Sequence, residues 1–225
     1  LSKIILEDVW YKNIVKGVSM KAEEGVTAII GPNGSGKTTT LKIIAKALKP
    51  DRGKVVTPSK IGSSWQNPYY TFTKAEVAEE FTEIFGDRRK VEEFLRTYNL
   101  EDLVSKYTFK LSMGQARLIS ILIAISWGPE ALVIDEPTNG LGLKEKRMVE
   151  NVLKSIRIPV IIASHDLDFV LRVADHVYLM NDGHVIAEGP TLDVFYSDRL
   201  SALGFPEPYA VVIGRKLGRR LRSIE

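Results

Sequence analysis

Gly31-Pro32-Asn33-Gly34-Ser35-Gly36-Lys37-Thr38 stands between two segments of opposite character. Before it, Val26 to Ile30 is a short, apolar and largely β-branched run that reads as a buried strand. After it, Leu41, Ile44, Ala45 and Leu48 fall at helical spacing, and Pro50, Asp51 and Gly53 stop that helix. The eight residues fit Gly-x-x-x-x-Gly-Lys-[Ser/Thr] in a strand–loop–helix context, as a triphosphate-binding loop requires. Glycines let the backbone curl so that successive N–H groups face phosphate oxygens. The following helix adds free N–H groups and the positive end of its dipole. Lys37 is expected to reach the β- and γ-phosphates of a nucleoside triphosphate, and the Thr38 hydroxyl to bind Mg²⁺. Thr39 is grouped with the loop as a nucleotide contact.

A second decisive stretch is Leu132-Val133-Ile134-Asp135-Glu136, an apolar strand ending in two carboxylates. In a parallel sheet the carboxyl ends of the strands line the ligand crevice. Asp135 is therefore expected at the hydrated Mg²⁺, and Glu136 beside the γ-phosphate, to orient and deprotonate water.

Outward from these, residues 74–98 read as charged helices with the apolar stripes Val77, Phe81, Ile84 and Val91, Phe94, Leu95, Tyr98, broken at Gly86-Asp87. Ser112 is expected to cap a helix running to about Trp127. A helix carries Met148, Val149, Val152, Leu153 and Ile156, Pro159 to Ala163 is a third buried strand, and Asp166 to Val173 a further helix. His176 to Met180, Asn181-Asp182-Gly183 and His184 to Ala187 read as a hairpin. Strands that alternate with helices and are apolar almost throughout point to an α/β fold, its parallel sheet covered on both faces. Trp65 and Trp127 are read as core, and His176 and His184 as ordinary polar residues without metal-ligand spacing.

Composition narrows the function. The 225 residues are 44% hydrophobic and 26% charged, an ordinary globular balance. With no cysteine, disulfides, thiolate zinc sites and a cysteine nucleophile are excluded. The longest apolar run, Leu118 to Trp127, is about half of the ~20 residues that a membrane-spanning helix needs. Leu1-Ser2-Lys3-Ile4 shows no signal-peptide pattern, so the cytosol is the expected compartment. The net charge of +3 is concentrated in residues 209–225, which carry +4 and leave the remainder at −1. The basic character therefore belongs to a tail, read as solvated surface, and no nucleic-acid partner is expected.

With phosphate loop and Asp-Glu strand in place, the chain resembles the ATP-binding-cassette (ABC) ATPases over nearly its whole length. The family's signature, usually Leu-Ser-Gly-Gly-Gln, corresponds to Leu111-Ser112-Met113-Gly114-Gln115, whose last residue lies 20 positions before Asp135. Its glutamine loop matches Gln66, its switch histidine His165, and its adenine-stacking aromatic Tyr11, with Trp10 as competitor. The resemblance implies a P-loop core with a small N-terminal antiparallel β subdomain and a helical subdomain at about 69–125, all within one ABC ATPase domain, 1–225. It implies a head-to-tail dimer with a second ABC ATPase subunit, like or unlike. Lys37 of one chain and Ser112, Met113, Gly114 and Gln115 of the other would hold one ATP. Gln66 would touch Mg²⁺ and sense the nucleotide, and His165 would hold the γ-phosphate. The partners implied are membrane-embedded transporter subunits, with this chain peripheral on the cytoplasmic face of the cell membrane.

Met113 departs from the family glycine, and Gly142 stands where relatives usually carry aspartate. Only 28 residues separate Lys37 from Gln66, so the antiparallel sheet is expected to be small. Gln66-Asn67-Pro68, the acidic segment 73–80 and Gly204-Phe205-Pro206-Glu207-Pro208 are similar to the ATPases of energy-coupling factor (ECF) transporters, importers of vitamins and transition-metal ions. A soluble ABC ATPase, such as an iron–sulfur-cluster assembly component, and a weakly hydrolysing nucleotide-binding module stay open as alternatives.

Overall fold

Every second residue of the central strands faces the same way, and here both ways lead into apolar packing. In the computed structural model, which describes residues 2–224, β3 (Gly25–Ile30) sends Val26, Ala28 and Ile30 to one core and Ile29 to another. β6 (Ala131–Asp135), β7 (Pro159–Ala163) and β8 (His176–Asn181) divide their side chains alike. This two-sided burial is why these strands read as continuous apolar runs and not as alternating ones. Leu1 and Glu225, which end the leader and tail readings, lie outside the described residues.

The six-stranded sheet has the order β5-β6-β7-β3-β8-β9, with β5 at Ile61–Ser64 and β9 at His184–Pro190. Its pairs are parallel except β8–β9, the expected hairpin. Asp182 and Gly183 at the hairpin tip both have positive φ, the type I′ geometry that suits a two-residue turn. A second sheet, β2-β1-β4, is antiparallel and small, as the short spacing to Gln66 predicts; it joins β1 (Ile4–Tyr11), β2 (Val15–Ala22) and β4 (Arg52–Val56). Its inner residues Ile4, Leu6, Val18 and Met20 pack with Ile29, Val133 and helix α1 (Lys37–Ile44).

The opposite face is covered by helices. Three are α2 (Val77–Phe85), α3 (Arg88–Arg96) and α4 (Met113–Ser126), with the Gly86 break in the left-handed region and Asp87 accepting from the Arg89 N–H, as a cap should. Two more are α5 (Leu143–Ser155) and α6 (Leu167–Val173). After the hairpin come α7 (Thr191–Phe195), α8 (Arg199–Ala202) and α9 (Tyr209–Leu217). Among the described residues no helix is long and apolar enough to cross a membrane.

Four expectations need correction. The helix after the phosphate loop ends at Ile44, because Lys46 adopts φ +61° and turns the chain before Leu48. Trp127 is 47% exposed where α4 ends and is not a core residue, whereas Trp65 is half-buried, packed on the core beneath the small sheet and walling a groove on its other side. Ile156 closes α5 and is not part of its helical face. The basic tail is not simply solvated. Ala210, Val211 and Gly214 are buried, Arg215 pairs with Asp198 and Glu207, Arg220 pairs with Asp193, and Arg222 donates to the carbonyls of Ala174 and Leu171. The arginines carry a docked strap whose acidic partners lie just upstream on the chain.

Candidate functional site

The phosphate loop can exist only with glycine at its two tightest points. Gly31 has φ +152° and a side chain there would run into the Met180 carbonyl; Gly36, at φ +101°, would place a Cβ 2.8 Å from the Ile14 carbonyl. Between them Ser35 N–H bonds the Pro32 carbonyl, closing the turn that delivers the chain to the N-terminus of α1.

Lys37 is buried, and its ammonium donates to the carbonyls of Gly31 (2.9 Å) and Pro32 (3.0 Å). Burial pushes its pKa below the ordinary lysine value, while Glu136 and Asp135 pull in the other direction. The cation is thus held beside the loop by weak carbonyl partners, ready for an anion. Thr38 Oγ1 donates to Asp135 Oδ2 at 2.9 Å, bringing together two of the three residues expected at Mg²⁺. Burial raises the pKa of Asp135, against the hydrogen bond from Thr38. A buried carboxylate and a hydroxyl at a phosphate loop form an all-oxygen donor set suited to a hard divalent cation, which would relieve that burial.

Glu136 turns out of its strand at φ +53°, a left-handed conformation uncommon for a long side chain, with its N–H bonded to the Ala163 carbonyl. Its Oε2 lies 2.8 Å from His165 Nδ1 and 3.4 Å from the His165 N–H. β6 and β7 are neighbours in the sheet, so the two strand ends place glutamate and histidine side by side. Beyond His165, Asp166 caps α6 through the Phe169 N–H and pairs with Lys146 of α5 at 2.6 Å. Burial works against ionisation of Asp166, yet the Lys146 and Phe169 bonds hold its pKa below the ordinary value.

Asn33, Gly34, Gly36, Lys37, Thr38, Thr39, Gln66 and Glu136 line one cavity of about 360 Å³, and Ile14 from the turn between β1 and β2 closes it. A larger groove of about 750 Å³ continues past Thr38 and Asp135 to Trp65, Gln66, Tyr70, Met113 and Asn139. Ser112 and Gln115 form a reciprocal capping box at the start of α4, at 3.1 and 3.2 Å. Ser112, Gly114 and Gln115 do not line the phosphate cavity of their own chain. Met113 is 46% exposed on the larger groove and leans over Gly140, where an added Cβ would lie 2.7 Å from its Cγ. Tyr11 ends β1, its ring 5.3 Å from Lys12 Nζ, and lines neither space; Trp10 instead bonds Asp8 and meets Arg52.

Sequence reading missed Ile14, Lys146 and Arg117. The last is the largest fully buried side chain among the described residues. Its signal was present: one charge on α4 directly before the apolar run 118–127.

The model of the ABC transporter family matches residues 15–139, which include the phosphate loop, Gln66, the 111–115 segment and the Asp-Glu strand end. The chain belongs to the ABC transporter family. Like its relatives it is an ATP-binding cassette that hydrolyses ATP, with ATP as its nucleotide. It is 32% identical to an ABC transporter ATP-binding protein of Pyrococcus furiosus, over 96% of this chain and 94% of that one. It is also 32% identical to EcfA2, an energy-coupling factor transporter ATP-binding protein of Clostridium perfringens, over 80% of this chain and 73% of that one. Among solved structures it resembles CbiO1 of Clostridium perfringens, described as part of the ABC transporter complex CbiONQ. There the TM-score is 0.75 at 26% identity, covering 96% of this chain and 98% of that one.

Proposed function

We propose that this ABC cassette is the ATP-driven motor of an ECF-type importer, working at the cytoplasmic face of the membrane through separate membrane subunits. The observation that carries the motor is the convergence of Lys37, Thr38, Glu136 and Gln66 on one cavity, with Asp135 and His165 bonded to its walls. The importer class rests on similarity to EcfA2 and to CbiO1. Cargo of such a system is a vitamin or a transition-metal ion, chosen by the membrane subunits.

In this reading Lys37 leaves its two carbonyls for the β- and γ-phosphates, and the loop N–H groups take the remaining oxygens. Thr38, Asp135 and Gln66 would hold Mg²⁺, which neutralises phosphate charge. Glu136 takes a proton from water as its oxygen attacks the γ-phosphorus; the bond to the bridging oxygen breaks and ADP leaves. His165, steadied by Glu136, holds the transferring phosphoryl group. Ser112, Gly114 and Gln115 serve the ATP of a second ABC subunit, since they stand away from their own cavity. Tyr11, outside the walls of the cavity but three residues before Ile14, would stack on an adenine that extends beyond them. Residues 69–125 act as the arm that meets the membrane subunits, with the 80% exposed Tyr70 on its surface.

Purification of the tagged protein from gently solubilised membranes tests this. Recovery of a scaffold membrane protein with a small substrate-binding one is expected; recovery of soluble proteins alone would replace the importer with a soluble ABC ATPase.

Met113 lies on the surface where the signature must approach phosphate. Met113→Gly should raise the maximal ATPase rate several-fold while lowering stability by less than the ~1 kcal/mol that glycine costs in a helix interior, since Met113 is the first residue of α4. An unchanged rate with lowered melting temperature would show that the methionine does not obstruct the site.

A further inference from the structure

A guanidinium with no access to water usually has a carboxylate against it. Arg117 is 0% exposed, and its contacts are of another kind. Nη1 donates to the Trp65 carbonyl at 2.5 Å, Nη2 donates to the Gln66 carbonyl, and Ser64 Oγ stands 3.5 Å from Nη1. Ser64 in turn bonds Ser120, one turn further along α4, and Nε is buried without a partner. Burial depresses the pKa of Arg117, and the charges of Asp135 and Glu136 offset it. The cation thus feels both acidic residues of the site while its hydrogen bonds grip the backbone of Trp65 and Gln66 and reach the Ser64 hydroxyl.

The position is specific. β5 ends at Ser64, which registers with Ile134, the residue before Asp135. The segment from Ser64 to Gln66 leaves the sheet beside the acidic strand end. Arg117 belongs to α4, whose first residues are Met113 and Gly114. A single side chain therefore ties the glutamine segment to the first turns of the signature helix.

We propose that Arg117 is a positioning residue: it fixes Gln66 from behind and transmits movement of Gln66 to the signature end of α4. The proposal rests on the reading of Gln66 as a nucleotide sensor. Its physical basis is that two carbonyls gripped by one rigid, planar fork cannot shift without carrying the fork, and a helix packed in the core moves as a body. Nucleotide in this chain's cavity would thereby set the signature residues that serve the partner's cavity. Arg117 touches no reacting atom in this scheme.

The test uses the full chain with Arg117→Met and Arg117→Lys. The chain has no cysteine, so spin labels at Glu24→Cys and Lys90→Cys, both exposed, report movement of the helical arm against the turn that joins β2 to β3. Adding Mg²⁺ with the non-hydrolysable analogue AMP-PNP should shift that distance in the wild type. In Arg117→Met the shift should vanish and kcat should fall about 10- to 100-fold, as for misplacement of a catalytic group. The analogue's Kd should stay within about threefold of wild type, since the phosphate loop is intact. The melting temperature should change little, because an apolar chain of similar volume avoids burying a charge while the part-buried Trp65 and Gln66 carbonyls lose a donor that water can replace. Arg117→Lys, able to reach one carbonyl well, should fall between.

A Met variant that keeps both the shift and the turnover would overturn the proposal. So would a loss of turnover that follows a falling melting temperature, which marks a merely structural residue. If the wild type binds the analogue but its arm does not move, the sensor reading fails, and Arg117 with it.

Discussion

Lys37→Ala should raise the Kd for ATP by roughly 10²- to 10⁴-fold, from loss of about two charge-assisted hydrogen bonds of 1.5–3 kcal/mol each. The reason lies in how the ammonium is held. It is buried against the carbonyls of Gly31 and Pro32, with no ion pair to break before phosphate arrives. Nothing else in the loop carries a positive charge, so backbone N–H groups alone would face the triphosphate. The empty protein should not suffer, since burial already disfavours this ammonium. A thermal melt checks both statements at once. Saturating ATP should raise the melting temperature of the wild type and leave that of the variant unmoved. Equal nucleotide-induced shifts in the two proteins would remove Lys37 from the site.

Glu136→Gln should have the opposite signature, with binding retained and turnover lowered by about 10²- to 10⁴-fold, the usual contribution of a general base. The amide keeps the shape and the acceptor oxygen that faces His165 Nδ1, now at 2.8 Å from Oε2. What it loses is the capacity to take a proton from water. With ATP intact, two chains joined across the nucleotide should stay joined, so sedimentation of the variant with ATP is expected to show a dimer. A variant that hydrolyses like wild type would leave the site without its base, and His165 would be the next residue to replace.

The parts legible in the sequence were those whose physics is local. The strand before Gly31, the turn of glycines and the helix after Lys37 are adjacent in the chain, so their pattern alone announces the loop. Asp135-Glu136 was legible for a related reason, since a strand end in a parallel sheet has a fixed address. The hairpin tip and the Asp87 and Ser112 caps also rest on neighbours within three residues. Misreadings came where the partner is distant. Trp127 is large and apolar, but its exposure depends on where α4 ends against the sheet. The tail arginines were counted as charge without their acidic partners, Asp193, Asp198 and Glu207. Arg117 was illegible as a functional residue because its carbonyl partners lie 51 and 52 positions away. Tyr11 was placed by resemblance alone, and no wall of the cavity reaches it.

The strand order has a consequence for how this protein comes into being on the ribosome. β3 carries the loop, but its two neighbours in the sheet are β7 and β8, pairing Thr27 with Ile161 and with His176. When residues 25–44 emerge, the strand has neither neighbour, and about 115 more residues must be translated before β7 follows. Such long-range pairing is slow and leaves apolar edges open meanwhile. The nascent chain therefore carries its most recognisable element early and unformed. A stalled product ending before residue 159 should bind no ATP and should depend on chaperones, while one released past 190 should close the cradle around the nucleotide.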